Sequence, residues 1–177
     1  MVSAIDLKSR IRSIPDFPKQ GILFRDITTL LSDPAAFKAA VEQMAAHHTG
    51  SKISKVVGVE SRGFIFAAAL ALRLQAGFVP VRKPGKLPST TARQEYQLEY
   101  GSDALEIHTD ALARGERVLV VDDLLATGGT IEATCKLVES LGGVIVGLEF
   151  LIELDFLRGI DRLRKYTVHS LIHYPSE

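Results

Sequence analysis

Residues Val118–Thr130 read VLVVDDLLATGGT. Four apolar, mostly β-branched residues run directly into two carboxylates, Asp122 and Asp123. A short apolar run of this kind is a buried strand. Gly128 and Gly129 then supply a turn with backbone freedom that other residues lack. The following stretch TIEATCKLVESL has helical spacing. Strand, glycine turn, helix places exposed N–H groups and the positive end of a helix where an anion can sit. Thr127 and Thr130 add hydroxyl donors. Two like charges at a strand end are costly unless something binds them, so the pair points to a ligand. The Ala126–Thr130 turn suits a phosphate, and Asp122 and Asp123 suit sugar hydroxyls or a cation-bound group. A Walker loop would need Gly-Lys-Ser/Thr at the helix start, and the G-x-G-x-x-G dinucleotide pattern is absent.

The rest of the chain repeats this grammar. KVVGV (55–59), GFIFAAALALRLQ and GFVPV (77–81) read as strand, helix and strand. A βαβ unit of about thirty residues implies a parallel sheet. RVLVV, the helix after it and GGVIVGLEFLI form a second unit, and VHSLIHY alternates like a final strand. Continuous apolar strands imply a sheet covered on both faces. The fold class is therefore α/β, a mostly parallel twisted sheet flanked by helices. SDPAAFKAAVEQMAAHH is a helix capped by Asp33, with Pro34 at its first position and Phe37, Val41, Met44 and Ala45 facing inward. Ile5, Ile11 and Ile14 stand at helical spacing, and Pro15 and Pro18 would end that helix. The segment RKPGKLPSTTARQEYQLEYGSDALEIH is polar and turn-rich and mostly unlike core, although ALEIH alternates as a strand would. A long segment of this kind inside a domain is commonly a functional loop.

With 177 residues, 46% hydrophobic and 24% charged, the chain suits one domain with a sizeable core. Lys+Arg and Asp+Glu both number 21, which argues against a protein built to hold nucleic acid. No apolar run is long enough to span a bilayer, and the N-terminus lacks the apolar stretch of a signal peptide. The single cysteine, Cys135, excludes an internal disulfide and fits a reducing, cytoplasmic setting. It reads as a small buried helix residue. His47 and His48 close a helix, where histidine complements the dipole.

VLVVDDLLATGGT also resembles, over all thirteen residues, the phosphoribosyl diphosphate signature of the type I phosphoribosyltransferases. The blocks IPDFPKQGILFRDIT, GVESRGFIF, RKPGKLP and LEYGSDALEIH resemble the adenine-using members of that family, in the same order, over about residues 10 to 155. The resemblance implies transfer of a ribosyl 5-phosphate from phosphoribosyl diphosphate to adenine, giving AMP and diphosphate, with magnesium. It implies a single domain over 1–177, with 1–33 forming a hood over the base and 83–108 a flexible flap. By resemblance Glu60, Ser61 and Arg62 form the diphosphate loop, Lys83 and Lys86 contact the diphosphate, and Arg82 reaches across a homodimer interface. Asp122, Asp123, Ala126, Thr127, Gly128, Gly129 and Thr130 take the ribose and 5-phosphate. Phe24 stacks on adenine, while the main chains of Leu23 and Arg25 read its edge. Glu99 handles the proton on the base, and Tyr100 closes the flap over the diphosphate.

The residue types suit these roles. Arg62, Arg82, Lys83 and Lys86 are local positive charges in a neutral chain. Magnesium prefers oxygen and keeps waters, so substrate phosphates and hydroxyls, not a dedicated protein site, would hold it. Two other readings share the motif. One is transfer to hypoxanthine, guanine or xanthine, and the other is a non-catalytic sensor of phosphoribosyl diphosphate. A sensor would be expected to add a nucleic-acid-binding element or a basic surface.

Overall fold

The computed structural model describes residues 5–97 and 102–177. Its centre is a five-stranded, all-parallel sheet built from β3 (Lys55–Val59), β4 (Gly77–Val81), β7 (Arg117–Leu125), β8 (Val144–Leu154) and β9 (Val168–Tyr174). The strand order is β4-β3-β7-β8-β9. Helix α3 (Gly63–Leu74) links β3 to β4, and α4 (Gly129–Ser140) links β7 to β8. The two crossovers leave in opposite directions from the adjacent central strands β3 and β7. Crossovers of one hand then put α3 and α4 on opposite faces. Two apolar layers result. One joins α3 and α2 (Pro34–Ala46) to Leu119 and Val121, and the other joins α4 to Val118 and Val120.

Helix α2 begins as its sequence dictates. Asp33 Oδ1 accepts hydrogen bonds from the amides of Ala35 (2.9 Å) and Ala36 (3.2 Å), with Pro34 at the first helical position. A cap of this type contributes about 1 kcal/mol. Ala36, Ala40, Val41, Met44 and Ala45 are buried, whereas Phe37 packs at the margin with its ring edge-on to Phe66.

Three expectations need correction. The helix expected over Ile5–Ile14 is not formed. Asp6 accepts from the amides of Lys8 and Ser9, which closes only a short 3-10 turn at Lys8–Arg10. The chain then extends into β1 (Arg12–Ile14), antiparallel to β2 (Phe24–Asp26). Arg12 crosses this ribbon to Asp26 and holds that carboxyl down at about 2. Cross-strand pairing and the burial of Leu7 and Ile11 override the helical spacing.

Part of the polar segment read as loop, Thr91–Gln97, is also a strand, while ALEIH is the strand that its alternation suggested. The segment contains an antiparallel pair, β5 (Thr91–Gln97) and β6 (Ser102–His108). Leu105 and Ile107 are buried in one cluster with Val57, Val59, Val79 and Val81. The pair covers the part of the sheet face that α4 leaves open.

The third correction concerns His47 and His48. Rather than facing the helix end alone, both reach Glu149 on β8. His48 Nε2 lies 2.8 Å and His47 Nδ1 3.1 Å from its carboxylate oxygens, and His169 of β9 stacks on His47 at 4.5 Å. Glu149 has no solvent exposure, and burial pushes its carboxyl up to about 9. Burial pushes His48 down to about 4, helped by the neighbouring His169 and His47. Because the folded pKa of Glu149 is raised, its contribution to stability is full below the unfolded carboxylate range and is lost as pH rises towards 9. His48 acts in the opposite sense, and its contribution is lost only as pH falls below its unfolded value. Above pH 7, therefore, His48 no longer opposes the Glu149 trend. Glu149→Gln is expected to flatten the fall in stability between pH 7 and 9 by up to about 1.4 kcal/mol per pH unit, the slope of one proton. Denaturant titrations of both proteins across that range test this, and parallel pH profiles would refute it.

Candidate active site

In open parallel sheets the ligand crevice lies outside the carboxyl ends of the strands, where the strand order reverses. Here that point falls between β3 and β7, whose pairing ends at Gly58 and Val121. The residues singled out in the sequence leave the sheet at this point. β3 runs into Glu60-Ser61-Arg62, and β7 carries Asp122 and Asp123 before the turn into α4. β4, paired with β3 on its other side, delivers Arg82 and Lys83.

Strand β7 extends to Leu125, so the acid pair sits within the ladder rather than beyond its end. Gly63, the first residue of α3, makes room for Asp122. A Cβ there would lie 2.6 Å from Asp122 Oδ1. Asp123 pairs with Arg62 at 2.9 Å. Its Oδ2 is buried and lies off the line of any hydrogen bond, which leaves a strong acceptor available to a ligand. Both carboxyls are pushed above their usual range. For Asp122 the causes are desolvation and then the charge of Asp123; for Asp123 desolvation outweighs the favourable Arg62. Asp122 keeps a strip of surface towards the cleft although protein atoms crowd it on its other sides. That crowding is sufficient reason for the upward direction.

The turn beyond the acids forms a cleft of 80 Å³ lined by Asp122 and residues 124–131. This is room for an anionic head group, not for a base. Gly128 caps α4 in the left-handed region (φ 82°), so the amides that open this helix face the cleft. The turn is held from behind by Gly159. A Cβ on Gly159 would lie 2.1 Å from the Ala126 carbonyl oxygen, and one on Gly128 would lie 2.7 Å from the Gly159 carbonyl. The sequence reading missed Gly159; a glycine in the polar FLRGID stretch was its only signal.

The basic groups gather on the other side. Glu60 has a side chain only 6% exposed, and it pairs with Arg82 (2.7 Å) and Lys86 (3.1 Å) and accepts from the Lys83 amide. The structure thus directs the Glu60 carboxylate to the basic loop and leaves Ser61 exposed at the mouth. Lys83 pairs with Asp103 of β6. Arg62 also lies over the Phe24 ring, 5.0 Å from its centroid, and Phe17 meets Phe24 edge-on at 5.0 Å. Phe24 is therefore a partly exposed ring beside the site and not core. Arg25, next to it, is buried and stacks on Tyr174 at 3.9 Å, which anchors the β1–β2 ribbon to the last strand. Glu99 and Tyr100 lie outside the described residues.

Comparison with known proteins agrees with this geometry. Residues 27–171 match the phosphoribosyl transferase domain family. The chain is 60% identical over 173 residues to an adenine phosphoribosyltransferase of Acidobacterium capsulatum, covering 98% of this chain and 96% of the relative. The chain belongs to the adenine phosphoribosyltransferases. A relative of the same description from Symbiobacterium thermophilum is 61% identical over 96% of this chain and its own whole length. The crystal structure of adenine phosphoribosyltransferase from Thermoanaerobacter pseudethanolicus superposes with a TM-score of 0.93 at 56% identity, covering 95% of this chain and 98% of that one. The strand-end cleft is thus the expected active site of a member of this family, and the mixed parallel and antiparallel elements fit its α/β architecture.

Two further features lie elsewhere. A cavity of 460 Å³ opens between the carboxyl ends of α2 and α3, lined by Glu42, His48, Lys52 and Arg73 among others. It sits at the amino ends of the strands and includes no residue of the site. Among the described residues, Glu153, Asp155 and His173 place ligand atoms within 4.8 Å of one another and could hold a metal ion. No helix among the described residues is long and apolar enough to cross a membrane.

Proposed function

We propose that the protein transfers the 5-phosphoribosyl group of phosphoribosyl diphosphate to adenine, forming AMP and diphosphate. The observation that carries this reading is the Val118–Thr130 segment folded as acid pair, phosphate-sized turn and helix start, in a chain 60% identical to an adenine phosphoribosyltransferase over nearly its whole length. The amides and hydroxyls of Ala126–Thr130 hold the 5-phosphate. Asp122 and Asp123 accept from the ribose hydroxyls. Ser61, Arg62, Lys83 and Lys86 face the diphosphate, with Glu60 setting the basic loop and Tyr100 closing over it. Phe24 offers its ring to adenine, and the main chains of Leu23 and Arg25 read its edge. The bond from the anomeric carbon to diphosphate breaks as the bond to the base nitrogen forms, through a ribosyl cation-like state of the kind met in glycoside cleavage. Glu99 accepts the proton that the base nitrogen loses.

Magnesium suits this donor set. Asp123, whose Oδ2 is buried and held by Arg62 alone, and its neighbour Asp122 supply hard oxygen near where donor hydroxyls would lie, directly or through water. The cation, when bound, neutralises diphosphate charge. We also assign a homodimer formed through the α3–β4 face, where Ile65, Leu72 and Phe78 are exposed and from which Arg82 would reach the neighbouring site. A compartment kept reducing suits the free, buried Cys135.

Incubation with magnesium, phosphoribosyl diphosphate and each purine base in turn tests the reading. AMP from adenine is expected. No nucleotide from any base would return the chain to a sensor role, and product only from hypoxanthine, guanine or xanthine would move its specificity.

The acid pair gives a further expectation. Its raised folded pKa values mean that ionisation near pH 7 costs stability. Asp122→Asn is expected to raise the melting temperature by a few degrees when measured without donor. Asp123→Asn is expected to weaken donor binding about tenfold, through loss of one charged acceptor. Calorimetric melting and donor titration read the two effects. Unaltered donor affinity in Asp123→Asn would make the pair structural.

A further inference from the structure

Asp103 lies where alternation along β6 puts it on the same face as Leu105 and Ile107, both fully buried. A carboxylate there needs partners: the Ala104 amide donates to its Oδ1 at 2.8 Å, and two groups meet its Oδ2. Lys83 donates to Oδ2, and the Tyr96 hydroxyl, directly across the strand pair, lies 3.3 Å from the same oxygen. Lys83 Nζ is also 3.5 Å from the Tyr96 hydroxyl. The Lys83 side chain is 39% exposed and that of Asp103 26%, so an anion approaching from solvent can reach the ammonium. The other cations assigned to diphosphate have carboxylate partners as well: Arg62 has Asp123, and Lys86 and Arg82 share Glu60. Those two carboxylates belong to the sheet and the loop leaving it. Asp103 alone belongs to the β5–β6 pair, the two strands that flank Glu99 in sequence.

We infer that Asp103 is a positioning residue that competes with diphosphate for the Lys83 ammonium and thereby sets donor and product affinity. The inference rests on the proposed function, because it takes Lys83 as a diphosphate contact. A half-exposed ion pair is weak enough to be exchanged, and a diphosphate oxygen is a stronger partner for an ammonium than one carboxylate. The competition makes diphosphate easier to release, at some cost in capture.

Titration with magnesium diphosphate alone, followed by calorimetry, tests this in the full chain. Asp103→Asn is expected to bind diphosphate two- to fivefold more tightly than wild type, the range expected for removal of a pair of this exposure. Asp103→Glu, which keeps the charge, is expected to return affinity towards the wild-type value. The gain should vanish in the Lys83→Gln background. A residue that merely braces the strand pair would weaken binding or leave it unchanged, and would not depend on Lys83. Affinity in Asp103→Asn equal to or weaker than wild type overturns the inference, as does the same tightening in Lys83→Gln. If wild type makes AMP and binds diphosphate while Asp103→Asn shows no gain, this inference fails alone. If wild type binds no diphosphate, the proposed function fails with it.

Discussion

Replacing Glu99 with glutamine is expected to lower turnover by roughly 10²–10⁴-fold, the usual contribution of a positioned general base, while donor affinity stays within about twofold. The split matters because the two quantities belong to different parts of the molecule. In the proposed function, donor affinity comes from the β3 and β7 strand ends and the basic loop, all anchored in the central sheet. Glu99 belongs to the segment between β5 and β6, whose strands pair in register from Thr91↔His108 to Gln97↔Ser102. Among the described residues, that pair is tied to the sheet by a bridge between Arg82 and Glu106, by the Lys83–Asp103 pair and by the burial of Leu105 and Ile107. Glutamine keeps the size and polarity of the side chain and removes only its basicity. Pre-steady-state AMP formation alongside donor titration separates the effects. Unchanged turnover would remove Glu99 from its role, and donor affinity falling in step with turnover would make it a binding residue.

Gly159→Ala is expected to cost donor affinity on the order of 100-fold, at the upper end of overpacking penalties of about 1–3 kcal/mol. Relief by a side-chain rotation is not available, because the atoms a new Cβ would meet are backbone: the Ala126 carbonyl oxygen at 2.1 Å, its carbon at 3.0 Å and the Gly128 amide nitrogen at 3.0 Å. One of the two chain segments must retreat. Residue 158, in the left-handed region at φ 54°, already fixes the turn that presents Gly159. The Ala126–Thr130 turn, which carries two adjacent glycines, is the part expected to yield. The expected signature is weaker binding of donor and of AMP alike, since both carry the 5-phosphate, with adenine binding little changed. Wild-type affinity for AMP in this variant would show that the packing behind the turn is slack.

The sheet and its crossovers were legible because their signals are local. β-branched runs, an Asp-Pro helix start and a glycine turn each act within a few residues, and the strand-end rule then locates the crevice. What escaped depends on partners distant in sequence. Ile5, Ile11 and Ile14 carry helical spacing, but the strand opposite, Phe24–Asp26, decides their conformation. His47 and His48 look like helix-end residues until Glu149, about a hundred positions on, is folded beside them. Gly159 matters through the space it leaves for Ala126, which no property of its own neighbourhood reveals. Asp103 did leave a trace, as an acid on the apolar face of an alternating strand.

The N-terminal ribbon leans on the far end of the chain. Tyr174 lies between Lys8, 4.4 Å from its ring centroid, and Arg25 at 3.9 Å, and Lys8 donates to the His173 carbonyl at 2.7 Å. During synthesis, the first thirty residues emerge long before the strand they rest on. The strand ends and phosphate turn can assemble as β3, β7 and α4 leave the ribosome. The ribbon carrying Phe24 must wait for His173 and Tyr174. A chain cut before position 168 is expected to keep the strand ends and turn proposed for the sugar phosphate and to lose Tyr174, the support beneath the ribbon that carries Phe24, so folding of the two halves of the proposed site is separated in time by the synthesis of β9.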